Sequence, residues 1–247
     1  PSASRPPRPS RWRRWDRRYG LWKRRHLISS YVTHPGTLLD YGCATGVFLD
    51  YMGRHHWKTF GVEPNSYAAD YARNRFHLQI FSSSVSAKDF FAQESLDVVT
   101  LWDVLEHVSD PLTLLRNLSL WLKPDGYLIL TLPDPDSWER RWFGRYWVGW
   151  DLPRHLYLFP RSTLRLLLTR CGFRIEEMTH FTGRYHTFLM SLTWLLQDKW
   201  PQERSRKILF AILRSWPLRL AGLGLFKLSD RFCPGTSLTV IARKRYD

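Results

Sequence analysis

Three stretches of this 247-residue chain set reactive side-chain types at spacings that could do chemistry. The first is Leu38-Leu39-Asp40-Tyr41-Gly42-Cys43-Ala44-Thr45-Gly46-Val47-Phe48-Leu49, an apolar run broken by a turn of small residues with a carboxylate just before it. The second runs from Trp102 to His107 and holds Asp103, Glu106 and His107. In the third, from Trp147 to His155, Asp151, Arg154 and His155 stand among tryptophans.

The first stretch points to a bound ligand. A buried strand that enters such a turn and then a helix makes the ligand corner of a doubly wound sheet, where ligands sit at the carboxyl ends of the strands. Gly42, Ala44 and Gly46, with Cys43 between them, let backbone approach a ligand without side-chain clash. The helix N-terminus adds free N–H groups. A dinucleotide favours G-x-G-x-x-G. Here the pattern is G-x-A-x-G, and Asp40 would repel a pyrophosphate. The same carboxylate would attract the ammonium and sulfonium of S-adenosylmethionine. Glu63, expected to end a second strand, is placed to accept both ribose hydroxyls. The plainer alternative is a surface acid and a turn chosen for packing.

At the second stretch, a helix starting near Asp103 would put Asp103, Glu106 and His107 on one face. Two carboxylates and one imidazole make an incomplete metal shell, so no metal is expected. Trp102 and Asp103 are read as cofactor contacts, and Glu106 and His107 as residues that order the turn. In the third stretch the tryptophans could wall off an acceptor. His155 is the candidate base, with His107 and Asp151 as further candidates for acid–base work. The rival reading is an aromatic loop that anchors the helix at Arg161.

These residues need a scaffold, and the pattern supplies one. After Pro35-Gly36 strand and helix alternate, the mark of a parallel sheet. Strands are expected at 37–41, 59–63, 78–85, 97–102, 127–132, 173–179 and 237–243. Helices are expected at 47–55, 67–76, 111–122 and 161–171, with Lys123-Pro124-Asp125-Gly126 as a closing turn. An apolar, basic insertion at about 184–234 is too long for a simple connection. Residues 1–30 form a basic aromatic arm whose Trp12, Trp15, Tyr19, Trp22 and His26 share one helix face. The sheet-forming domain would then be 31–247.

Composition narrows the class. The net charge of +15 is unevenly spread. Residues 1–26 carry +9 (ten basic, one acidic) and 201–247 carry +7 (ten, three), which leaves −1 for the middle. Basic ends seek anionic surfaces, and a membrane reached through both ends is the expected partner. The near-neutral middle offers no basic track, so nucleic acid is not expected. Three scattered cysteines exclude a disulfide framework and a CxxC zinc site. No apolar run is long enough to span a bilayer and no secretory signal is evident. The expected location is the cytoplasm, peripheral on the inner membrane face.

Five pieces carry a resemblance. They are Leu39–Gly46, Gly61-Val62-Glu63-Pro64, Leu96-Asp97-Val98-Val99, Val104-Leu105-Glu106-His107 and Leu122–Leu128. On them the chain resembles the class I S-adenosylmethionine-dependent methyltransferases, in the branch of the ubiquinone-biosynthesis O-methyltransferases (the methyltransferase domain 23 type). The resemblance implies a Rossmann-like α/β sheet of order 3-2-1-4-5-7-6, strand seven antiparallel, with the helical insertion before the last strand. It also implies Asp40 and the glycine turn at the methionine half, and Glu63 on the ribose. Ubiquinone-type relatives can carry Glu-x-x-Glu-His after strand four and use it for a divalent metal, where this chain has Asp-x-x-Glu-His. Two further departures are Ala44 in place of glycine and Ser82-Ser83-Ser84-Val85 where an adenine contact is usual, with Ser84 taken as the substitute. The expected reaction is methyl transfer to an oxygen of a small or lipid-like acceptor. RNA methylation and non-catalytic binding of S-adenosylmethionine are the alternatives. A short-chain dehydrogenase fails, since Tyr-x-x-x-Lys occurs only at Tyr19–Lys23, ahead of the sheet.

Overall fold

The computed structural model describes residues 11–82, 91–180, 184–200, 202–213, 215 and 235–245. Its strands are β1 (Thr37–Tyr41), β2 (Lys58–Val62), β3 (Gln79–Phe81), β4 (Leu96–Trp102), β5 (Leu122–Pro133), β6 (Phe173–Thr179) and β7 (Ser237–Lys244). They follow the order β3-β2-β1-β4-β5-β7-β6 among the described residues, the expected Rossmann-like arrangement. The chain falls into two compact units, Pro1–Ser83 and Ser84–Asp247.

In the first unit β1 and β2 pair in parallel with Asp40 beside Gly61, and β2 pairs in parallel with β3. Leu38, Leu39 and Asp40 are all buried, so β1 is covered on both faces, as parallel strands are. Helix α1 (Arg11–Ser29) is rooted by buried Leu27 and Ile28 at its end. The turn after β1 leads into α2 (Val47–Gly53), two residues shorter than expected. Helix α3 (Ser66–Phe76) starts where the Asn65 side chain accepts the Ala68 N–H at 3.0 Å, satisfying a free amide of the first turn.

In the second unit β4 and β5 run parallel, and β7 lies antiparallel to both β5 and β6. The expected turn at Lys123–Gly126 is instead a bulge inside β5. Leu96 pairs with Leu122, and the register then jumps to Val98 with Tyr127. The Lys123 ammonium lies 2.8 Å from Asp97 and Asp125 takes a left-handed φ of 64°, so the extra residues are accommodated without ending the strand. The helix Pro111–Trp121 opens on Asp110, whose carboxylate accepts the Thr113 N–H, with proline at the first turn where no N–H is needed. The insertion holds helices Arg184–Lys199 and Glu203–Leu213. Its remaining segment, with Arg214, Arg219 and Lys227, lies outside the described residues. No described helix is long and apolar enough to cross a membrane.

Candidate functional site

The turn after β1 is built on left-handed backbone. Gly42, Ala44 and Gly46 have φ of 78°, 48° and 73°. The Gly42 and Cys43 amides donate to the Val62 carbonyl at 2.7 and 3.1 Å, which ties the turn to the end of β2. Glu63 stands one residue past β2, not in it. One of its carboxylate oxygens accepts the Ala44 N–H at 2.8 Å and the other the Asn65 N–H at 2.9 Å. A carboxylate has about four acceptor positions, so each oxygen keeps one for a hydroxyl. Asp40 and Glu63 are only 3% and 9% exposed. Burial, with both carboxylates nearby, pushes the Cys43 thiol well above its usual range. Cys43 is therefore an inert side chain between two acids.

This corner fits S-adenosylmethionine by its chemistry: two buried carboxylates suit a cation and ribose hydroxyls. A Cβ on Gly46 would come within 2.6 Å of Leu78 and 2.8 Å of Ala72, so packing and its φ by themselves require glycine there. Ser84 lies outside the described residues; the strand expected at 78–85 is seen as Gln79–Phe81.

In the second unit Trp102 is buried at the end of β4. Asp103, exposed and left-handed at φ 57°, turns back on β5: its N–H lies 3.0 Å from the Thr131 hydroxyl, which donates to its carboxylate at 3.2 Å. A short 3-10 turn, Leu105–His107, follows in place of the expected helix. Asp103, Glu106 and His107 thus do not share a face; Glu106 is 1% exposed while the other two face solvent.

What Glu106 and His107 meet is His155. The two imidazole centroids are 4.8 Å apart, and His155 Nε2 lies 3.9 Å from Glu106 and 3.7 Å from Asp151. Both rings are oriented by backbone: Nδ1 of His107 is 2.8 Å from the Arg154 carbonyl, and Nδ1 of His155 is 2.8 Å from the Gly149 carbonyl. A carbonyl only accepts, so each Nδ1 carries a hydrogen, and in the neutral ring the lone pair is on Nε2. Neither Glu106 oxygen has a hydrogen-bond partner among the described residues. Burial, with Asp103 adding a smaller push, raises its carboxyl to about 8. One donor atom each from Glu106, His107 and His155 lies within 4.8 Å of the others, so His155 stands where Asp103 was expected.

Trp147 does not wall a pocket. It is fully buried, its Nε1 donates to Thr236 at 3.0 Å, and its ring fills the space where a Cβ on Gly149 would sit. Trp150 packs edge-on against it. A further cluster escaped the sequence reading. Fully buried Asp134 accepts from Arg161 at 2.6 Å and from His180 at 3.0 Å. Burial pushes its carboxyl up, but those bonds outweigh it and hold it below the ordinary range. Asp134 and His180 directly follow β5 and β6 at carboxyl ends, and that position was the available signal.

A family model described as a methyltransferase domain matches residues 12–178. The chain belongs to that family. The model describes a methyltransferase domain, and solved structures that share the fold include S-adenosylmethionine-dependent methyltransferases, one of them in complex with that cofactor. This methyltransferase is similar to the ubiquinone biosynthesis O-methyltransferase of Actinobacillus pleuropneumoniae, 30% identical over 136 residues that take in 47% of this chain and 58% of that protein. The Coxiella burnetii protein of the same name is 27% identical over 130 residues, 47% of this chain and 56% of the relative. The chain thus spans little more than half the length of these curated relatives. A S-adenosylmethionine-dependent methyltransferase from Archaeoglobus fulgidus shares the fold, with a TM-score of 0.60 at 19% identity over 91% of this chain and 94% of that one.

Proposed function

We propose that this methyltransferase acts on an oxygen of a small or lipid-like acceptor, and that His155 takes the acceptor's proton. The fixed tautomer of His155 carries this reading. With Nδ1–H donated to the Gly149 carbonyl at 2.8 Å, the basic Nε2 is the nitrogen left for an acceptor. The Asp151 carboxylate lies 3.7 Å from that Nε2, beside the nitrogen that would receive the proton. A hydroxyl must shed its proton as its oxygen gains the methyl carbon, which is the step a base assists. The relatives' name, ubiquinone biosynthesis O-methyltransferase, supports oxygen as the receiving atom.

Asp40 and Glu63, with the turn from Gly42 to Gly46, hold the donor in this reading. When bound, S-adenosylmethionine supplies a methyl group on a sulfonium that is already activated. The protein's share is then positioning, exclusion of water and proton transfer. Labelled donor offered with a panel of phenols, hydroxyl-bearing lipids, amines and transfer RNA tests the proposal. Label on the oxygen acceptors, lost in His155→Gln, is the expected result. Label confined to amines or RNA sinks it.

A further inference from the structure

Helix α1 carries an aromatic surface that includes none of the residues assigned above to donor or acceptor. Trp15, Tyr19, Trp22 and His26 form a continuous ladder along it, with ring centroids 5.4, 5.8 and 5.2 Å apart and planes within 4°, 18° and 7° of parallel. The ladder faces out: Trp15, Tyr19 and Trp22 are 56%, 45% and 46% exposed. It runs along the side of the helix opposite the residues that root it, since Leu27 and Ile28 are buried. Around it the sequence sets eight basic residues against one acid, Asp16. Arg18 and Arg25 stand one seven-residue step apart. They make a column about 70° round the axis from the aromatic one, by the helical repeat of 3.6 residues.

We infer that α1 lies flat on a bilayer surface rich in acidic phospholipid and holds the enzyme there. Tryptophan and tyrosine settle at headgroup level, where the ring meets hydrocarbon and its polar atom meets water. Arginines at that depth reach the phosphates. The same charge would draw RNA, but base stacking needs an open aromatic face. Here successive rings are stacked on one another, so the faces between them are already occupied.

Flotation of the full chain decides it, using phosphatidylglycerol–phosphatidylcholine vesicles against phosphatidylcholine alone, with a transfer-RNA gel shift alongside. The enzyme is expected to float with acidic vesicles at low salt and to lose at least tenfold in partition at about 0.5 M salt, where charges are screened. Jointly, R18Q and R25Q should lower partition about 25-fold, at roughly fivefold per basic residue near an anionic surface. Serine at Trp15, Tyr19 and Trp22 together should cost tenfold or more, with donor affinity unchanged. Should that variant misfold, headgroup-proximal brominated lipid must still quench the wild-type tryptophan emission. Failure to float on acidic vesicles at low salt would overturn the inference. So would flotation unchanged in the folded variants, absence of quenching, or retention on transfer RNA without retention on vesicles.

Discussion

The Glu63 carboxylate accepts the Ala44 N–H at 2.8 Å, across nineteen residues of chain, while its other oxygen holds the Asn65 amide at 2.9 Å. One acid therefore shapes the turn that follows β1 and the entry to α3. In the proposed site it also receives the ribose.

Replacing Glu63 by alanine should reveal both roles. Two charge-assisted hydrogen bonds are lost, each worth about 1.5–3 kcal/mol. Donor affinity by calorimetry is expected to fall at least tenfold, with a lower melting temperature. A folded variant that binds S-adenosylmethionine as tightly as wild type would refute the assignment.

His155→Gln is expected to lower turnover at least a hundredfold while leaving donor affinity within about twofold, the split that marks a residue acting on the acceptor. Asp151→Asn should have the same sign with a smaller effect. Equal losses in donor binding would move both residues to the cofactor side. Turnover should survive exhaustive chelation, and loss of activity that added Mg2+ restores would replace the base by a metal held at Glu106, His107 and His155.

Glu106 makes stability depend on pH. Unfolded, its carboxyl ionises near 4.5, while burial raises it to about 8 in the fold. Between those values the native state holds a proton the unfolded chain has released. The contribution of this residue therefore falls as pH rises from 4.5 to 8, by on the order of a few kcal/mol. Glu106→Gln keeps the volume and cannot ionise. Its stability relative to wild type, from urea unfolding, should be greater at pH 8 than at pH 5. A constant difference would show that Glu106 is not held protonated.

Gly61 tests the packing behind the turn. A Cβ there would sit 2.5 Å from the Cys43 sulfur, 2.7 Å from Ile80 and 2.8 Å from Leu49. Gly61→Ala should destabilise by about 1–3 kcal/mol through overpacking. Adding Cys43→Ala, which clears the nearest atom, should recover part of the loss. An unchanged melting temperature in the single variant would mean the neighbours move aside freely.

Much of this protein was legible in its residues because it is local. Asp40, Gly42 and Gly46 lie within one strand–turn–helix, and the strands that position them announce themselves by apolar periodicity and by proline and glycine at their ends. That sufficed for the sheet order, through the family's motifs, and for placing two buried acids beside the turn after β1. The bulge at Lys123–Gly126 was hidden, since the same residues write a turn or an interrupted strand and only pairing with β4 separates the two. Trp147 reads as surface or core alike until Thr236 and Gly149 are seen to close around it. Glu106 and His155 are forty-nine positions apart. No periodicity links them. Their meeting, the burial that keeps Glu106 protonated, and the carbonyls that fix each imidazole's tautomer arise from packing of distant segments. Sequence thus determined which chemistry was available, and tertiary structure decided which groups share a low-dielectric space, because desolvation and hydrogen-bond geometry exist only once the chain is folded.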